Sequence, residues 1–148
     1  MGFFEAIEAC LTNYAVFKGR APRSEYWWFV IFGIVVNTVA RLIPVLAVIV
    51  GLGLILPNLA VHVRRLHDID RSGWYLLLPS PAASLTLIFL AMTYSTGQPV
   101  FGGLWIIFAL ITAGCYLILL IWCCLRGTVG PNRFGPDPFA FDPLTPRV

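Results

Sequence analysis

The chain has 148 residues, 59% hydrophobic and only 11% charged, with a formal net charge of +3 and a mean hydropathy of +0.84. A soluble domain of this size would expose more apolar surface than a monomer tolerates, so the composition predicts one all-α integral membrane domain over residues 1–148. Ten basic residues clustered beside apolar stretches argue against nucleic acid as a partner. Cys10, Cys115, Cys123 and Cys124 lack the spacing of a zinc site or a disulfide framework.

Phe3, Phe4, Ile7, Leu11 and Tyr14 recur at helical spacing, which predicts an amphipathic interfacial helix over 3–17. Its acidic start lacks the basic leader of a signal peptide. Lys18 to Arg23 form a basic turn, with Ser24 as the expected cap of the next helix. Four transmembrane spans are expected, at 26–40, 42–63, 74–94 and 101–125. The first two are separated by Arg41 alone and should form an antiparallel hairpin. Pro44, Gly51, Gly53 and Pro57 predict a kink or close packing in the second. Pro79 and Pro81 stand near the start of the third. The tail, 126–148, is rich in Pro and Gly and should be an extended loop.

Charge sets the expected orientation. Lys18, Arg20 and Arg23 precede span one. Arg64, Arg65 and Arg71 lie between spans two and three, and Arg126, Arg133 and Arg147 follow span four. Only Arg41 lies on the other side, so both termini should be cytoplasmic in the inner membrane of a bacterium. Trp27, Trp28, Trp74 and Trp122 fall at the same interface, as an aromatic belt would.

The densest polar motif is Arg64-Arg65-Leu66-His67-Asp68-Ile69-Asp70-Arg71, six titratable or charged side chains in eight positions. Continued as helix, it would pair Arg64 with Asp68, and Asp68 or Asp70 with Arg71, lowering the cost of charge beside lipid. Alternatively Arg64, Arg65 and Arg71, with Arg20 and Arg23, form a site for an anionic headgroup or a partner protein. Glu25, His67, Asp68, Asn132, Arg133 and Asp137 are the expected members of a structural polar network. That network should join the 64–74 segment to the 18–25 turn and to the 126–138 tail. His62 and His67 are five apart, off the spacing that puts two metal ligands on one helix face. No metal, cofactor or catalytic residue is expected.

Three motifs in order support a resemblance. They are Tyr14-x-x-Phe17-x-Gly19-Arg20-x-x-Arg23-x-Glu25-Tyr26-Trp27, then Arg64-Arg65-Leu66-His67-Asp68-x-x-Arg71-Ser72-Gly73-Trp74, then Gly130-x-Asn132-Arg133-Phe134-Gly135-Pro136-Asp137-Pro138. Together they resemble the bacterial inner-membrane family called domain of unknown function 805. The resemblance covers nearly the whole chain and implies a four-span inner-membrane protein, with no activity attached. The sequence departs at Asp70, where the family usually has a small residue such as Gly.

Two functional expectations follow. One is a non-enzymatic structural or accessory subunit of a membrane complex or homo-oligomer, or a binder of anionic lipid or ligand at its cytoplasmic face. The other is a small oligomeric transporter or channel component, suggested by Asn37, Arg41, Asn58 and His62 in or near the spans.

Overall fold

A computed structural model describes residues 1–139. The expectations placed on Pro143, Pro146, Arg147 and the rest of the tail to 148 lie outside the described residues. The described chain is helical, without a strand: α1 (Phe3–Thr12), α2 (Arg23–Ala40), α3 (Pro44–Asp68), a 3₁₀ turn (Gly73–Leu77), α4 (Ser80–Thr96) and α5 (Pro99–Cys124). It divides into two compact units. One comprises Met1–Gly73 and the segment from Leu125 onward, the other Trp74–Cys124.

In the first unit, α1 is shorter than the expected 3–17. The backbone N–H and the side-chain amide of Asn13 both turn back to donate to the Ala9 carbonyl, at 3.0 and 2.8 Å, and end the helix. α2 begins three residues before the expected span. Pro22, with extended ψ, occupies the cap position, and its carbonyl accepts the Tyr26 N–H at 3.2 Å. Ser24 therefore lies inside the first turn and caps nothing. The α2–α3 link is only Arg41–Ile43, closed by N–H donation from Leu42 to Val39 and from Ile43 to Ala40. So short a link makes the two helices an antiparallel hairpin, and Pro44 starts α3 at the position where its missing N–H costs nothing.

α3 runs through the charged motif to Asp68, past the expected end at Val63, but does not reach Arg71. Asp70 has φ +56°. Its N–H donates to the His67 carbonyl at 3.1 Å, and the Arg71 N–H donates to the Leu66 carbonyl at 2.9 Å. This is a Schellman motif with aspartate in the left-handed position that usually holds glycine. The turn survives the departure at Asp70 because a short polar side chain tolerates this conformation better than most.

Pro57 lies inside α3 and cannot donate to the Gly53 carbonyl. The Tyr14 hydroxyl, just past α1, donates to that orphaned oxygen instead. The core of the unit gathers where α1 meets α2 and the second half of α3: Ala6, Cys10, Phe29, Ala60, Val61 and Leu66 are buried.

The second unit is a helical hairpin. The expected helix from residue 74 is interrupted, because neither Pro79 nor Pro81 can donate a backbone N–H to the turn before it. Leu78 donates instead to Tyr75, in a 3₁₀ closure, and the Ser80 hydroxyl donates to the Leu77 carbonyl at 2.7 Å. Gly97, at φ +65°, caps α4 by donating to Thr93 at 3.0 Å. α4 and α5 pack through the stacked rings of Phe89 and Phe108, 5.5 Å apart, and the 3₁₀ turn packs on α5 through the edge-to-face pair Tyr75 and Trp122, 5.2 Å apart.

Three segments are long and apolar enough to cross a membrane: Pro44–Asp68, Gly73–Thr96 and Pro99–Cys124. α2 has 18 residues but carries Arg23 and Glu25 in its first turn and Asn37 in its last.

Candidate functional site

The end of α3 organises the site. The last carbonyls of a helix have no partner within it, and here two distant segments supply them. The Asp68 carbonyl accepts the Thr128 N–H at 2.8 Å and the Thr128 hydroxyl at 3.2 Å. The His67 carbonyl accepts the Asn132 side-chain amide at 2.9 Å. One turn earlier, the Arg64 carbonyl accepts the Ala21 N–H at 3.0 Å. The expected union of the 18–25 turn, the α3 end and the tail is thus realised through backbone as well as charge.

Asp68 is the electrostatic centre. One carboxylate oxygen accepts from Arg20 at 3.0 Å, and the other from Arg65. Arg20 also donates to the carbonyls of Gly130, at 2.7 Å, and Thr128. Arg65 also donates to the Leu125 carbonyl. The side chains of Arg20, Asp68 and Arg65 are only 1%, 4% and 0% exposed. Desolvation this deep is tolerated because each charge is paired and hydrogen-bonded. Gly127 lies directly on the carboxylate: a Cβ there would sit 2.2 Å from Asp68 Oδ2.

The pairing differs from the sequence expectation. Arg64 does not pair with Asp68. It faces α2 and donates to Glu25 at 2.6 Å, because Asp68 is already held by Arg65 and Arg20. Asp70 pairs with Arg133 at 3.1 Å, not with Arg71. Arg71 lies beyond the helix end, exposed, and its backbone N–H closes the Schellman turn. Asp137 accepts backbone N–H groups, from Gly130 at 2.8 Å and Phe139 at 2.9 Å, rather than a guanidinium. These amides, with Arg20 and Arg126 nearby, hold its carboxyl below the usual range. His67 stacks face to face on Phe134, with centroids 3.8 Å apart, and its Nδ1 lies 3.2 Å from the Gly19 carbonyl.

Cys10 was not expected in this site. Its thiol is buried and lies 3.6 Å from Glu25 Oε1, to which it donates. Burial first, then the neighbouring Glu25, pushes the thiol up to about 12, so it is a protonated donor and not a nucleophile. Beside it, Nε and Nη2 of Arg64 are buried without a hydrogen-bond partner. The apolar spacing drew the face of α1 through Phe3, Phe4, Ile7, Leu11 and Tyr14, whereas the buried face carries Ala6 and Cys10 and leaves Phe4 and Leu11 exposed; nothing local identified Glu25 as the neighbour of Cys10.

Two concavities flank this core. The first, of about 500 Å3, lies at the helix ends between Arg20, Arg23, Arg126, Thr128, Asp137 and Phe139. The second, of about 510 Å3, follows the α2–α3 hairpin and gathers Tyr26, Asn37, Thr38, Arg41, Asn58 and His62. The four polar residues singled out in or near the spans therefore share one groove. His62 Nδ1 lies 2.7 Å from the Asn58 carbonyl, which can only accept, so Nδ1 carries the proton. Nε2 is then free to accept the Tyr26 hydroxyl at 2.9 Å. Among the described residues no three His, Cys, Asp or Glu side chains converge as metal ligands.

Residues 14–136 match the family described as "Protein of unknown function (DUF805)". The chain is 36% identical to the inner membrane protein YhaH of Escherichia coli K12 over 140 residues, 86% of this chain and 91% of the relative. It is 35% identical to the inner membrane protein YhaI of the same strain over 137 residues, 86% and 90% respectively. No solved structure matches the chain significantly.

Proposed function

Because this chain belongs to the DUF805 family, whose relatives YhaH and YhaI are inner membrane proteins, we propose that it is a non-enzymatic four-span protein of the bacterial inner membrane. Both termini are cytoplasmic, and it acts as an accessory subunit or as a binder of anionic ligand at its cytoplasmic face. The observation that carries the reading is the Asp68 cluster. Arg20 and Thr128 both bond to Asp68, which supports residues 20, 68 and 128 sharing one side of the membrane. The number of crossings between any two of them is then even. If α3 crosses, α2 crosses with it, and 18 residues of α-helix reach about 27 Å, close to the roughly 30 Å of a hydrocarbon core. The excess of basic residues on the shared side supports its assignment to the cytoplasm.

An accessory role fits a cluster whose charges are fixed by one another and beside which the buried Cys10 thiol is protonated. The test is a reporter active only in the periplasm, fused after Val148, together with purification in native lipid. Export of the fusion sinks the topology. A chain that carries neither a companion protein nor anionic lipid sinks the role.

The transport reading is favoured by a different observation, the polar groove from Tyr26 and His62 to Arg41. Polar groups at membrane depth mark functional sites by default. Flux of a solute in vesicles that is abolished by His62→Phe supports it, and absence of flux removes it.

A further inference from the structure

We propose that the basin between Arg23, Arg126 and Thr128 binds a phosphate monoester carried on a lipid headgroup, as in phosphatidate. This rests on the reading of that end of the helices as the cytoplasmic membrane surface.

The floor of the basin is a fixed cation. Arg20 is buried and held by Asp68 and by the Gly130 and Thr128 carbonyls, so it cannot turn away. The charge of Asp68 is shared with a second guanidinium, Arg65, which leaves the floor positive. Arg23 and Arg126 stand exposed at the rim. Guanidinium forks match phosphate oxygens in pairs, and a dianion suits two of them. α2 starts here with no side-chain cap, so its positive dipole end adds to the field.

Two further observations select a lipid. The basin already holds one anion of the chain's own, Asp137, within the field of Arg20 and Arg126. Its carboxylate marks where an external anion is attracted and competes with it. Val129 and Phe139, also lining the basin, are 84% and 74% exposed. Large apolar side chains left bare beside a cationic cavity fit an amphiphile better than a free ion.

The experiment uses the whole chain in nanodiscs of phosphatidylcholine doped with phosphatidate, with retained lipid counted by native mass spectrometry. Wild type keeps phosphatidate in preference to phosphatidylcholine. Arg23→Gln with Arg126→Gln lowers that retention on the order of tenfold or more. Asp137→Asn raises it, since the amide keeps an acceptor oxygen but removes the competing charge. Melting temperature is read on every variant. Retention unchanged in the arginine pair, or lowered together with stability in Asp137→Asn, overturns the proposal. Inorganic phosphate or glycerol phosphate displacing the lipid at equal concentration overturns the lipid assignment and keeps the phosphate chemistry. Cytoplasmic termini without phosphatidate retention reject the basin alone. Exported termini with retention intact support the basin and reject the topology.

Discussion

Asp68 is shared by two buried guanidiniums, so removing its charge leaves both without their counter-ion. Asp68→Asn is expected to cost roughly 3–5 kcal/mol, the range for breaking a buried pair from one side. Gly127→Ala is expected to do comparable damage, because its methyl would meet the same carboxylate at 2.2 Å. Thermal unfolding in detergent compares the two, and a Gly127→Ala protein as stable as wild type would contradict the packing. At Asp70 the order should differ. Glycine relieves the positive φ at the loss of an exposed ion pair to Arg133 worth at most about 1 kcal/mol. Alanine keeps the strain and loses the pair. Melting temperatures should therefore rank Asp70→Gly at or above wild type and Asp70→Ala below. Cys10 adds a pH dependence. Its thiol titrates at about 12 folded against 9.0 for the ordinary group, so the unfolded chain loses its proton first. Stability from this group is complete below about pH 9 and falls as pH climbs toward 12. Cys10→Ala should flatten that part of the profile, and an unchanged slope would remove Cys10 from the account.

At the scale of elements, Pro57 and Tyr14 form a unit that spacing alone did not reveal. The proline's position did announce that the carbonyl four residues earlier lacks a donor. Which side chain would supply it depended on where α1 ends, and that is decided by Asn13 folding back on Ala9. A double-mutant cycle tests the pair. Tyr14→Phe should cost about 1 kcal/mol in the parent. In a Pro57→Ala background, where residue 57 donates to Gly53 itself, the same change should cost nearly nothing. Equal costs in both backgrounds would disconnect them. The same division runs through the chain. Apolar runs located α5 to within two residues at each end but stopped short of the charged end of α3 and began α4 ahead of its prolines, and a one-residue gap between spans foretold the hairpin. The charged motif was legible as a cluster that must be paired. Its pool of partners was legible too, since the 18–25 turn with Glu25 and Arg20 was expected against it, but which acid meets which base was not, because an i, i+4 rule names neighbours on one helix while Glu25 and Arg20 reach α3 through packing. The break before α4 was written in Pro79 and Pro81, whose missing donors forbid the helix that hydropathy alone would draw.

For the whole molecule, chain geometry and charge give two independent routes to one topology. The charge route counts basic residues and weakens if a few are neutralised. The geometric route does not depend on charge: the three-residue link after α2 and the two-residue link after α4 each reverse the chain. The contacts of Asp68 hold residues 20 and 128 together. Three crossings would separate ends that are hydrogen-bonded to each other, so the proposed four-span topology requires α2 to cross although Arg23, Glu25 and Asn37 lie near its ends. The distinguishing measurement is labelling of single cysteines, in a cysteine-free background, by a reagent that does not cross membranes. Leu42→Cys and Gln98→Cys should react in intact cells, whereas Lys18→Cys and Val129→Cys should react only after permeabilisation. Changing Arg23 and Arg126 to Gln should leave this pattern unaltered, because the buried Arg20–Asp68–Thr128 contacts remain. Reaction of Gln98→Cys with protection of Leu42→Cys would mean that α2 and α3 do not form a crossing hairpin, and the four-span reading would fall.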